Sequence, residues 1–281
     1  MTTSAKANLP YFDQLFEGLR QQNTEVTRVF GRHVHWGYWE NPNAADGSDE
    51  DFALAAEHLA QRVCDAAQIA DGLRVLDCGC GFGGTIASLN ERFSGMEFVG
   101  LNIDPRQLDR AREQVQPQNG NSIEFVEGDA CQLPFPDNSF DVVLAVECIF
   151  HFPSRQRFFQ EARRVLKPGG KMALSDFVPR QATLLIMNGL PQFLQTEIAK
   201  TYGSVNCRFP LADYRNLARA TGLTTTVEDD ITPNTLPTYP VVRRVFRSMG
   251  NAQSDRATAS IEWVSRLGWI RYWIFGYSAP S

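Results

Sequence analysis

The stretch Val75-Leu76-Asp77-Cys78-Gly79-Cys80-Gly81-Phe82-Gly83-Gly84 decides how this chain is read. Residues 73–77 predict a short buried strand, and the glycines behind it predict a sharp turn whose backbone a ligand can approach with no Cβ in the way. Helical spacing resumes over 86–93, so the turn opens a helix N-terminus whose free N–H groups face whatever the loop holds. Upstream, Leu54, Ala55, Leu59, Val63 and Ala66 recur on one face of a helix over 52–70 that Asp71-Gly72 ends. Downstream, strands over 97–103, 123–126, 140–146 and 171–176 alternate with helices over 106–115 and 154–166. Parallel strands need crossover helices, so this order predicts an α/β fold with a doubly wound, mostly parallel sheet that binds its ligand at the carboxyl ends of the strands. A helix over 210–222 and strands over 223–231 and 271–277 bring that sheet to seven strands.

Length and composition narrow the classes. The 281 residues allow one large domain or a core with an elaborated cap. With a net charge of −5 and no dense Lys/Arg run, nothing supplies the basic face that a nucleic-acid partner needs. Lys6 has no apolar stretch behind it, and no apolar run reaches the roughly 18 residues of a bilayer span, so neither a secretory signal nor a membrane span is expected. The six cysteines contain no CxxC pair and read as buried free thiols in a reducing cytoplasm. Cys78-x-Cys80 lacks a second spaced pair, so no metal site is expected.

The glycine loop fits two templates, GxGxxG through Gly79, Gly81 and Gly84, and DxGxGxG through Asp77, Gly79, Gly81 and Gly83. Asp77 discriminates. A carboxylate leading the loop repels a pyrophosphate but suits a ligand carrying an amine cation and a sulfonium. The next predicted strand reaches Asn102-Ile103-Asp104 about 20 residues on, where a nucleoside ribose wants a partner, and an amide both donates and accepts. Asp104-Pro105 reads as the cap of the following helix.

Further ordered motifs accompany the loop: Glu127-Gly128-Asp129-Ala130, then Leu133-Pro134-Phe135-Pro136-Asp137-Asn138-Ser139-Phe140-Asp141, then Leu166-Lys167-Pro168-Gly169-Gly170. With these, residues 52–178 resemble the class I S-adenosylmethionine-dependent methyltransferases, whose fold is Rossmann-like. Val146-Glu147-Cys148-Ile149-Phe150-His151-Phe152 and Leu174-Ser175-Asp176-Phe177 are similar to the subgroup of ubiquinone C-methyltransferases, the rebeccamycin sugar O-methyltransferase and other natural-product tailoring enzymes. The resemblance implies S-adenosylmethionine as cofactor. It places Asp77, Gly79 and Gly81 at the methionine moiety, Asn102, Ile103 and Gln107 near the ribose, and Asp129 and Ala130 at the adenine. Glu147 falls at the mouth of that pocket. His35-Trp36-Gly37-Tyr38-Trp39 looks like the aromatic segment with which such enzymes cover the cofactor, with the Tyr38 hydroxyl reaching the cofactor carboxylate and Trp39 forming a wall. The family position for the ribose is commonly acidic, and Asn102 departs from that pattern.

Methyl transfer to a hydroxyl needs a base as the proton leaves oxygen, and histidine suits neutral pH. His151 lies just past a strand end and is the expected base, with Asp176 at the end of the next strand expected to orient it. His33, His35 and His58 have weaker claims. The expected organisation is an N-terminal helical lid over 1–51, a cofactor core over 52–178, an inserted helical cap over 179–209, and completion of the sheet with substrate-side helices over 210–281. The expected activity is methyl transfer to a hydroxyl of a partly hydrophobic small molecule of secondary metabolism. Carbon or nitrogen transfer is the alternative, and an NAD-dependent oxidoreductase or a non-catalytic cofactor-binding protein the alternative of another class.

Overall fold

The computed structural model describes residues 9–184 and 192–281. Helices α1 (Pro10–Arg20), α2 (Thr24–Phe30) and α3 (Asp49–Ala66) precede β1 (Arg74–Cys78). Then come α4 (Gly84–Arg92), β2 (Glu97–Asn102), α5 (Pro105–Gln114), β3 (Ser122–Glu127), β4 (Phe140–Ala145), α6 (Arg155–Val165) and β5 (Leu166–Pro179). The chain closes with α7 (Gln192–Tyr202), α8 (Leu211–Thr221), β6 (Thr224–Asp230), the one-turn α9 (Thr232–Thr235), α10 (Thr238–Ser248), α11 (Ala252–Arg266) and β7 (Ile270–Ser278). Of the segment expected to form a cap, 185–191 lie outside the described residues.

The seven strands form one sheet in the order β3-β2-β1-β4-β5-β7-β6. The first five are mutually parallel, and β7 runs antiparallel to both β5 and β6. After β3 the chain returns past β1 to place β4 on its other side, which opens a crevice between the carboxyl ends of β1 and β4. Asp77 and Glu147 therefore face one crevice although 70 residues part them in sequence.

Two-faced burial explains why the central strands read as unbroken apolar runs. In β1 and β4, Val75, Val142 and Leu144 join the core that includes Leu59 and Val63 of α3 and Leu89 of α4. Leu76, Val143 and Ala145 join the one that includes Phe158 and Phe159 of α6. Successive residues alternate between the two cores because strand side chains do. A third cluster packs Phe12 and Leu15 of α1 and Val26 of α2 against Phe52 of α3 and Val242 of α10. This seats α1 and α2 over the crevice.

Candidate active site

The glycine loop has the backbone its composition demands. Gly79, Gly81 and Gly83 have φ of +71°, +56° and +79°, in the left-handed region that side chains resist. At Gly79 space is closed as well, since a Cβ would lie 2.7 Å from Cys148 Cβ and 2.8 Å from its Sγ. Gly79→Ala is therefore expected to cost roughly 1–3 kcal/mol. Thermal melting checks this, and an unchanged Tm would show that the loop has room to spare.

The loop borders a cavity of about 920 Å³. Asp77, Gly79, Gly81, Asn102, Ile103, Gln107, Asp129, Ala130 and Glu147 all line it, so nine of the expected cofactor residues are brought together. Asp77 is 1% exposed, its Oδ2 has no hydrogen-bond partner, and burial pushes its carboxyl up to about 7. Asn102 spends its amide inside the protein: Oδ1 accepts from the Asp104 N–H at 3.1 Å, and Nδ2 donates to Gln107 Oε1 at 3.0 Å. Gln107 is thereby oriented with a buried, unpartnered Nε2 in the wall of the cavity. Asp104 caps α5 through the Arg106 N–H at 3.0 Å, as its position before a proline predicts. A buried acceptor at one place and a buried donor at another are costly unless a ligand pairs them. An amine at Asp77 and a hydroxyl-bearing ribose at Gln107 fit S-adenosylmethionine.

Tyr38 and Trp39 are corrections. Neither lines this cavity. The backbone of the aromatic segment is pinned by Trp39 N–H donating to Asn234 O at 2.9 Å, Tyr38 N–H to Ala55 O at 2.8 Å and Gly37 N–H to Thr238 Oγ1 at 3.0 Å. That turns the Tyr38 ring under the Arg62 guanidinium and sends Trp39 Nε1 to Asp51. Trp36 and His35, from the same segment, line a second cavity.

This second cavity, about 640 Å³, is walled mainly by apolar side chains such as Leu15, Phe150, Phe177, Val242 and Trp263. Trp263 is 55% exposed, yet it contributes to the wall. Among the described residues, Tyr11, Val34, His35, Glu147, His151 and Ser204 line both cavities and so mark their junction. The sequence signalled Glu147 and His151 there. It gave no sign of Tyr11 or Ser204, which reach the junction through the packing of α1 and of the turn after α7.

His151 stands between Tyr11, stacked at 6.1 Å between ring centroids, and Phe150 at 4.4 Å. Its Nδ1 lies 3.3 Å from Ser204 O, which only accepts, so Nδ1 carries the proton and Nε2 keeps a free lone pair. Burial pushes the imidazole down to about 4, so the ring is neutral near pH 7. His33 and His35 form a buried chain from Glu57 to Trp36 O, and every ring nitrogen in it is used internally.

Glu147 holds a left-handed backbone, φ +49°, with its N–H on Ser175 Oγ at 3.0 Å. Its Oε2 accepts from Trp36 N–H at 2.9 Å and from the Tyr272 hydroxyl. Burial pushes its carboxyl up to about 8, against the pull of these bonds. A carboxyl that takes up a proton on folding contributes stability fully below its ordinary pKa, and that contribution is lost as pH rises through the raised value. Glu147→Gln has no proton to lose, so its Tm relative to the parent should climb between roughly pH 5 and 8. A pH-independent offset would contradict the raised pKa.

The expected His151–Asp176 pair is also corrected. Asp176 is fully buried, and its Oδ2 accepts from Arg155 Nη2 at 2.6 Å, Arg155 Nε at 3.1 Å and the Tyr214 hydroxyl. Its Oδ1 accepts from the Phe177 N–H at 2.7 Å. The carboxylate is engaged by these partners and the His151 ring bonds to Ser204 O instead, and Asp176 lines neither cavity.

The Rossmann-like sheet thus carries at its switch point a cavity whose unpaired polar atoms fit a nucleoside cofactor, with an apolar cavity joined to it. The methyltransferase domain family matches residues 76–174. Methyltransferase GfsG of Streptomyces halstedii is 30% identical, over 92% of this chain and 90% of its own length. The 27-O-demethylrifamycin SV methyltransferase of Amycolatopsis mediterranei is 29% identical, over 80% and 78%. Among solved structures, the geranyl diphosphate C-methyltransferase of Streptomyces coelicolor A3(2), in complex with geranyl-S-thiolodiphosphate and S-adenosyl-L-homocysteine, superposes with a TM-score of 0.71 at 17% identity, covering 98% of this chain and 99% of that one. The chain belongs to the class I S-adenosylmethionine-dependent methyltransferases of the small-molecule type. No helix among the described residues is long and apolar enough to cross a membrane.

Proposed function

We propose that the chain transfers the methyl group of S-adenosylmethionine to a hydroxyl of an uncharged, largely apolar small molecule, a natural product by analogy with its relatives, with His151 as general base. The observation that carries this is the free Nε2 of a neutral His151 at the junction of the two cavities. The cofactor supplies a methyl group already activated on a sulfonium, so the protein has to align the acceptor, exclude water and take up one proton. Asp77 would hold the cofactor amine, Gln107, oriented by Asn102, a ribose hydroxyl, and Asp129 with the Ala130 backbone the adenine. Tyr11 and Phe150 hold the His151 ring in place, and its Nε2 takes the hydroxyl proton as the methyl–oxygen bond forms. The apolar wall excludes water and favours an acceptor without charge.

Carbon methylation is the second reading. It rests on Glu147, whose carboxyl stands at the same junction and, once ionised, offers a base to a carbon acid. The test is methylation of a panel of apolar hydroxylated acceptors with carbon-13-labelled S-adenosylmethionine. The chemical shift of the transferred methyl distinguishes O–CH3 from C–CH3, and a C–CH3 product would overturn the first reading.

A further inference from the structure

Asp176, Arg155 and Tyr214 form a closed polar knot beneath the acceptor cavity. Besides its two bonds to Asp176, Arg155 Nε donates to the Tyr214 hydroxyl at 2.9 Å, and all three side chains are almost fully buried. A buried ion pair is weak evidence for stability, because desolvation consumes most of the Coulombic gain, so its geometry has to be explained by what it holds. Besides the Phe177 N–H on Asp176 Oδ1, the knot has one bond to the backbone that follows α7. Arg155 Nη2 donates to Asn206 O at 2.7 Å, while Asn206 N–H donates to Phe150 O at 2.9 Å. The guanidinium also covers the Phe209 ring at 5.1 Å, and that ring meets Tyr214 edge-on at 4.9 Å. The segment from Gly203 to Arg208, which walls the acceptor cavity, is thus tied to the turn that carries His151. Two residues before Asn206, Ser204 O meets His151 Nδ1.

We propose that Arg155 is a positioning residue: held by Asp176 and Tyr214, it fixes the peptide of Asn206 and with it the Ser204 carbonyl that keeps the His151 proton on Nδ1 and Nε2 open to the acceptor. Asp176 then acts on His151 at one remove, through Arg155 and the 204–206 backbone. The inference rests on His151 as the working base, but it concerns the tautomer and can fail on its own.

The test reads that tautomer directly. In nitrogen-15-labelled chain saturated with S-adenosylhomocysteine, the His151 ring nitrogens, assigned by their loss in His151→Gln, should show a single neutral form with the proton on Nδ1. The charge-neutral double variant Arg155→Met/Asp176→Leu should lose that single form and show a mixture of the two tautomers, with S-adenosylhomocysteine affinity unchanged by calorimetry. Tyr214→Phe keeps the ring and removes only the hydroxyl. It should shift the same resonances in the same direction, and it decides the question if the double variant does not fold. A folded variant of either kind that keeps the pure Nδ1–H form overturns the proposal, whatever its melting temperature. Loss of activity in His151→Ala tests the base role separately and leaves the tautomer result untouched.

Discussion

Asp77→Asn is expected to weaken S-adenosylmethionine binding by about 10- to 100-fold in calorimetry, the range that a charge-assisted hydrogen bond of roughly 1.5–3 kcal/mol sets. The reason is the isolation of this carboxylate. It is buried, its Oδ2 has no partner in the protein, and desolvation has pushed it up to about 7. A cationic amine favours the ionised form, so binding must drive a proton off whenever Asp77 begins protonated. Affinity in the parent chain should therefore fall as pH drops below about 7, approaching tenfold per unit. The Asn variant should lack this slope. An Asn variant that binds like the parent, or that keeps the slope, would remove Asp77 from the cofactor site.

His151→Ala is expected to lower kcat by roughly 10²–10⁴, the usual worth of a positioned general base, while leaving cofactor affinity unchanged. The pH profile carries the second half of the prediction. Because burial holds the imidazole down to about 4, the base is unprotonated through the neutral range, so the parent rate should stay flat with falling pH until that value is neared. A base with an ordinary histidine pKa would lose rate from about pH 6.5. The measurement is kcat against pH with an acceptor found by the panel above. An undiminished rate in the Ala variant would end the base assignment.

The cofactor side was legible because its chemistry sits on contiguous residues. Asp77 to Gly84 combine a strand end, left-handed glycines and a helix start in one run, and Asn102 to Gln107 combine a strand end with the first turn of a helix. Such runs place their own side chains. Asn102, expected at the ribose, lines the cavity, and its amide also holds Gln107, whose buried Nε2 has no partner.

The acceptor side was much less legible. His35 to Trp39 forms neither helix nor strand and carries a ring at every position but Gly37, so local periodicity cannot say which ring faces inward. Long-range backbone bonds to Ala55, Asn234 and Thr238 decide that Trp36 does and Tyr38 does not. Asp176 sits at the strand end that the motif predicts, but Arg155 and Tyr214 converge on it first. Helices α10 and α11 lie in the stretch expected to carry substrate-side helices, but no periodicity placed them, and Val242 and Val264 from them wall the second cavity.

By itself, the sequence determined the order of strands and helices in the core and the cofactor loop, since each follows from periodicity and chemistry within a few successive residues, and its ordered motifs carried the resemblance to the methyltransferase class. Only the tertiary structure decided what meets His151. Tyr11 and Ser204 arrive there from distant parts of the chain, and a cavity wall is set by which faces are left over once the cores have packed.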